Sequence, residues 1–326
     1  MKKTRIKALF AAIFALTGIA LFADEVKSSP FSMRLTTDLA YYPKNAPKTG
    51  SDTHFAPVTG VFDKIECRTN FIADYKINTP LGEHWLLSDA NVILSGACEL
   101  TPVSLRPQIS LGFQPLPFFV IKGGSSVGLG WNAMGFEGIC KFNEKTREYE
   151  KISPVNHPHY DVWGQAMLMF DTGAIVPGDW NHVVMLASYT ISYSGIAGLG
   201  KGEAFEWQCS KNLVKGTIFE VQGILGYQMP LALSMAGVIY NGCGHFNGSD
   251  YGDYNENYDG KFVTHSVSPF FQFNLSDKDE LFCLFNFSSR RGFETKPEKD
   301  EDELFMKKVG REWYFNRIAL SWTHKF

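Results

Sequence analysis

Beyond its first two dozen residues, this chain of 326 residues has no apolar run long enough to cross a membrane as a helix. That absence excludes a helical membrane protein but not one built of strands, which must then close into a barrel. The cysteines Cys67, Cys98, Cys140, Cys209, Cys243 and Cys283 stand singly, with no C-x-x-C pair and no zinc-module spacing. Most fall in predicted strands and read as small apolar residues, with disulfides open to them outside the cytoplasm. An excess of basic charge is missing as well. The formal net charge of −3 argues against nucleic acid as a partner.

Basic residues do cluster at the start. Lys2, Lys3, Arg5 and Lys7 precede the uncharged apolar stretch 8–22, and Ala23 offers a small residue before Asp24. This order is that of a cleaved secretory signal peptide, so residues 1–23 are expected to be a signal and 24–326 a single exported domain. Loss of the signal takes the formal charge from −3 to −7. The next cysteine is Cys67, so no lipid attachment is expected at the new N-terminus.

The stretch 311–326 (REWYFNRIALSWTHKF) organises the rest. Counting back in twos from Phe326 gives Trp322, Leu320, Ile318 and Tyr314 on one face, with His324 and Asn316 as polar exceptions. The other face carries Lys325, Thr323, Ser321, Ala319, Arg317, Phe315 and Trp313. A period of two is a strand, and an aromatic at each end of an apolar face suits a strand crossing an apolar layer. A final amphipathic strand ending in Phe resembles the last strand of bacterial outer-membrane β-barrels. That resemblance implies Ile318, Leu320, Trp322 and Phe326 as a signal read by the barrel-assembly machinery. It also implies outer-membrane lipid as the surroundings and the outer membrane of a diderm bacterium as the location.

The same period recurs along the chain. In 31–42, Phe31, Met33, Leu35, Leu39 and Tyr41 oppose Ser32, Arg34, Thr36 and Asp38. In 61–77, Ile65, Cys67, Phe71, Ala73, Tyr75 and Ile77 alternate with Lys64, Glu66, Arg68, Asn70, Asp74 and Lys76. Further strands are expected over 84–100, 105–114, 118–131, 161–175, 180–194, 217–227, 231–243, 261–275, 280–291 and 311–326. The Gly-rich strand 118–131 predicts close packing or a bend in the wall. Short connections near 80, 116, 178, 229 and 277 alternate with long ones over 43–60, 132–160, 195–216, 244–260 and 292–310. Only the Thr-Pro turn near 102 breaks the alternation. This asymmetry is that of outer-membrane barrels, so the expected fold is all-β: a single transmembrane antiparallel β-barrel of about 12 strands, with short periplasmic turns and long extracellular loops.

The faces opposite the apolar ones nominate a lumen. Arg34, Asp38, Lys64, Glu66, Arg68, Asp74, Glu99 and Arg106 are expected to form a mixed-charge constriction, with Lys76, Asp89, Lys122, Asp171, Glu220, Arg290 and Arg317 elsewhere on the inner wall. The expectation is a pore for passive uptake of small hydrophilic solutes or ions. The alternative is a surface or adhesion barrel whose paired charges plug the lumen. The oxygen donors Asp250, Asp253, Asn255, Glu256 and Asp259 match no calcium loop and read as solvated surface. His265 lies between Val263 and Val267 on its face, and the His157/His159 pair lacks a third ligand nearby. Neither catalysis, a metal nor a cofactor is expected.

Overall fold

The computed structural model describes residues 29–45, 53–56, 58, 64–84, 86–133, 135–294 and 302–326, so the expected signal peptide lies outside the described residues. Twelve strands form the wall: β1 (Phe31–Tyr42), β2 (Lys64–Asn78), β3 (Asn91–Thr101), β4 (Ser104–Leu116), β5 (Phe119–Gly130), β6 (His159–Asp171), β7 (His182–Ile196), β8 (Gly216–Gln228), β9 (Leu233–His245), β10 (Thr264–Asn274), β11 (Asp279–Phe293) and β12 (Lys308–Lys325). Each pairs antiparallel with its neighbour in sequence, and β1 pairs with β12 from Arg34↔Lys325 to Tyr41↔Ile318, which closes the sheet on itself. Closure leaves every wall strand paired on both sides, as lipid requires.

The outward positions are apolar and exposed: Leu39, Phe71, Leu94, Ile109, Leu168, Leu225, Val238 and Leu320 among them. Aromatic side chains fringe this belt, with Phe31, Tyr75, Phe170, Tyr227 and Trp322 toward one rim and Tyr41, Trp131 and Tyr193 toward the other. An apolar belt between aromatic girdles is the exterior of a transmembrane barrel. Turns 79–90, 117–118, 172–181, 229–232 and 275–278 share one end, here the turn end. The longer connections, with the two-residue turn 102–103, share the other, the loop end. Cys67, Cys98 and Cys283 face outward with the apolar residues, Cys243 faces inward, and all six cysteines are free thiols.

Two expectations about facing need correction. A β-bulge in β12 places Asn286↔Arg317 beside Phe287↔Phe315 in the ladder, leaving Asn316 extra. A bulge adds a residue to one strand and reverses the alternation beyond it. Tyr314 is therefore buried on the inner face, while Trp313 and Phe315 join the outer one. Asn316, the apparent exception, marks the bulge itself. Asp89 is not a wall residue at all: it lies in the turn before β3 and is exposed.

The loop end carries most of the remaining order. The strand Ile139–Asn143 pairs with Glu148–Lys151 and with Phe205–Trp207, which in turn pairs with Ser210–Leu213. Loops 131–158 and 197–215 thus share one four-stranded sheet. Phe142 of that sheet packs in a buried cluster with Val214, Tyr251, Tyr254, Tyr258 and Leu304. In the Tyr-rich segment expected to be solvated surface, Asp253 and Glu256 are exposed, but Asp250 is buried and Tyr251, Tyr254 and Tyr258 belong to the apolar core of a cap. The first long loop contributes a short strand, Thr53–Phe55, that runs parallel to β12 beyond the end of β1.

Candidate functional site

The lumen has two unlike walls. From β6 round to β11, the inward residues nearer the turn end are apolar and buried: Met167, Met169, Val184, Leu186, Ile224, Met235, Ile239, Phe270, Phe282 and Leu284. From β1 to β5 the inner face is charged. Arg34, Asp38, Lys64, Glu66, Arg68, Asp74, Glu99 and Arg106 all stand on it, because each alternates with outward residues along its strand and pairs in register with another inward residue, as in Asp38↔Arg68 and Glu99↔Arg106.

Six of these charges form two groups at different heights, while Glu66 accepts from Tyr42 and Lys64 lies over the Phe136 ring. Toward the turn end, Arg34 Nη1 lies 2.8 Å from Asp74 Oδ2, and Ser95 donates to Asp74 Oδ1 at 2.5 Å. Here the side chains of Arg34 and Asp74 remain 23% and 17% exposed. Toward the loop end, Arg68 donates to Asp38 Oδ2 from Nη2 at 2.7 Å and from Nε at 3.1 Å, and reaches Glu99 Oε2 from Nη1 at 3.4 Å. Arg106 Nη1 approaches Glu99 Oε1 at 4.0 Å while its Nε donates to Ser126 at 3.1 Å. Two cations and two anions thus balance, and the Glu99 side chain is only 1% exposed. Water reaches the lower group and barely the upper one.

A finger from the cap covers the upper group. The hairpin Phe205–Leu213 turns at Gln208–Cys209, both with left-handed backbone (φ 48° and 65°). Successive positive φ values make the tight turn that matches strand twist, but residues with a Cβ pay about 1–3 kcal/mol for it. The strained tip aims Gln208 into the lumen, where Nε2 donates to Glu99 Oε1 at 2.8 Å and to Ser104 Oγ at 2.7 Å. A cavity of about 70 Å³ remains between the tip and Asp38, Glu66 and Arg68.

Glycines let the finger in. A Cβ at Gly128 would stand 2.5 Å from the Trp207 ring, and that ring stacks on His159 at 4.6 Å between centroids. Gly124 likewise makes room for Trp163. The Gly-rich strand is therefore a docking surface for aromatic rings. Gly128→Ala is expected to dislodge Trp207 and destabilise the docked cap by about 1–3 kcal/mol. A red-shifted tryptophan emission with unchanged far-ultraviolet dichroism would show it; an unshifted emission would refute the docking.

The other inner-wall residues are spread around the barrel. Arg317, fully buried, donates to Tyr42 Oη at 2.8 Å, and Tyr42 donates to Glu66 at 2.7 Å. Arg290 pairs with Glu312 at 2.6 Å and lies over the Tyr314 ring. Glu220 faces inward on β8, while Lys122, inward on β5, lies within electrostatic reach of Arg34 and Asp74. Asp171 is at the turn end and pairs with His182 at 2.8 Å. His157 bonds the Ala197 carbonyl and His159 stacks on Trp207, so the two histidines do not converge on a metal. Asp250 and Asp259 are engaged apart, with His245 and Lys308 respectively.

Within the cap, burial pushes the Glu206 carboxyl up to about 7, with Glu137 adding to the effect and Lys211 opposing it. Burial likewise raises the thiols of Cys140 and Cys209, the latter to about 11. Glu203, bonded to Lys141 and the Gly200 amide, is held below the usual carboxylate range. The finger and its Gln208 were not foreseen: the tip Trp-Gln-Cys-Ser carries none of the Gly, Asn or Asp that announce a tight hairpin.

No protein-family model matches the chain, and no curated protein matches it either. Solved structures do. The NanC porin is 8% identical with a TM-score of 0.40, over 90% of this chain and all of that one. The β-domain of the Bordetella autotransporter BrkA is 9% identical with a TM-score of 0.44, over 91% of this chain and 99% of that one. The outer-membrane channel DcaP of Acinetobacter baumannii is 12% identical with a TM-score of 0.37, over 91% and 96%. Likenesses this slight assign no solute and no residue role.

Proposed function

We propose that this barrel is an outer-membrane channel for small hydrophilic solutes or ions, exported by its N-terminal segment and described here in a closed state. One observation carries the reading: a strip of paired charges runs the height of one wall, wetter at Arg34–Asp74 and sealed at Glu99 by a loop finger. A barrel that needed only a stable filling gains little from burying charges, because their desolvation offsets most of their attraction. A polar path with a removable cover makes use of them.

The test is conductance in planar bilayers. Arg34 is the partly wetted cation of the lower group, so Arg34→Ala is expected to shift the ion preference toward cations by removing the direct partner of Asp74. Discrete steps with an unchanged cation/anion ratio would remove Arg34 from the path.

A second reading has its own support. The apolar inner wall and the complete burial of Arg317 and Glu312 favour a barrel plugged by its side chains, with its work done at the cap. Permanent silence from folded protein, with the finger disabled as well, would favour it.

A further inference from the structure

In the cap, away from the lumen charges, three ligand-type side chains meet. Glu137, Cys140 and Glu206 each offer one atom, and these atoms all lie within 4.8 Å of one another. Glu206 faces Cys140 across the shared sheet, and Glu137 sits three residues before Cys140 on the same loop. Cys140 Sγ already contacts Glu137 Oε2 at 3.6 Å.

Glu206 is the telling member. It is 3% exposed, and its Oε2 is buried without a hydrogen-bond partner. Its ion-pair partner, Lys211 Nζ, stands at 3.7 Å, beyond hydrogen-bond distance, and also lies over the Tyr149 ring at 4.7 Å. A carboxyl oxygen removed from water without a hydrogen bond is costly, and a cation among these three groups would relieve it beyond what the distant Lys211 supplies. A thiol ligand disfavours calcium and magnesium, which take oxygen, and favours a softer divalent ion. Tetrahedral zinc, with bonds of about 2.0–2.3 Å, sets its ligand atoms roughly 3.3–3.8 Å apart, so small side-chain rotations suffice.

We propose that Glu137, Cys140 and Glu206 bind a divalent ion of the zinc class, with water or a further ligand in the fourth position. The ion ties loop 131–158 to the hairpin that carries Gln208. It braces the cap whether or not the barrel conducts.

Cobalt(II) is the probe, because a thiolate ligand gives it a charge-transfer absorption that carboxylates do not. Titrated into the refolded full chain in detergent, Co²⁺ is expected to give this absorption, saturating at one equivalent and displaced by Zn²⁺. Cys140→Ser should abolish it, and Glu206→Gln should weaken binding by at least about tenfold. No charge-transfer absorption from folded wild-type protein would overturn the site, as would an unchanged absorption in Cys140→Ser. If the serine variant does not fold, Glu206→Gln decides: an affinity equal to that of the wild type refutes the proposal. Neither readout depends on ion flow, so failure here leaves the channel reading untouched.

Discussion

Gln208→Gly is expected to raise the open probability of the barrel by about 10–100-fold. The side chain's two hydrogen bonds, one of them to the buried Glu99 carboxylate, are its direct hold on the lumen wall. Hydrogen bonds to charged groups contribute about 1.5–3 kcal/mol, and each 1.4 kcal/mol is a factor of ten in a two-state equilibrium. Glycine is the informative replacement. It adopts the left-handed backbone of position 208 without strain, so the hairpin keeps its shape while losing its grip. Alanine removes the grip and leaves the strain as in the wild type, so it is the control that separates the two effects. Glu99 stays paired with Arg68 and Arg106 in the variant, so the wall itself is not undermined. Single-channel recordings of wild type and variant side by side give the answer. Identical records would show that Gln208 is no latch, and if both were silent the plugged reading would gain.

How the chain foretold this molecule varies along its length. Strands β1 to β4 alternate with few exceptions, Thr37 and Thr69 facing out and Ile72 and Ile93 facing in, so the facing of Arg34, Asp38, Arg68 and Glu99 follows from parity. Parity failed only where the backbone broke it. The bulge at Asn316 costs no special residue, so its only trace was a polar exception that reads equally well as noise. The cap was beyond reach for a different reason. Its tyrosines are flanked by Asp and Asn, and segments of that composition are usually solvated. Burying Tyr251, Tyr254 and Tyr258 depends on Phe142 and Leu304 arriving from loops distant in sequence. Glu137 and Glu206 are likewise 69 positions apart, and only the sheet that joins their loops brings them to Cys140. The lumen's apolar wall was hidden by strands such as β6, where Met167 and Met169 face inward while Leu168 and Phe170 face lipid. A strand apolar on both faces carries no parity signal.

Arg317→Met is expected to cost about 3–5 kcal/mol of barrel stability, while Arg317→Met combined with Glu66→Gln should recover most of it. Arg317 is among the largest side chains with no exposure, and it reaches Glu66 through Tyr42, which accepts from the guanidinium and donates to the carboxylate. Removing the cation alone strands the carboxylate in a dry interior, which is the expensive way to break a buried pair. Neutralising both ends removes the desolvation cost along with the attraction, and such exchanges are often neutral. In this barrel the balance tilts further, because Arg317 Nε and Nη2 are themselves buried without hydrogen-bond partners. Urea unfolding of the four proteins of this cycle, refolded into vesicles, isolates the coupling. If the single Arg317 variant loses less than about 1 kcal/mol, then Glu66 does not depend on it for its charge. Arg317 directly follows the extra residue Asn316, so the bulge fixes which residues of β12 face inward beyond it. With ordinary pairing throughout, Ile318 and Arg317 could not both hold their places while Trp313 and Phe315 face lipid. The local break in the ladder lets one strand carry a lumen cation at mid-height and an aromatic girdle at its end.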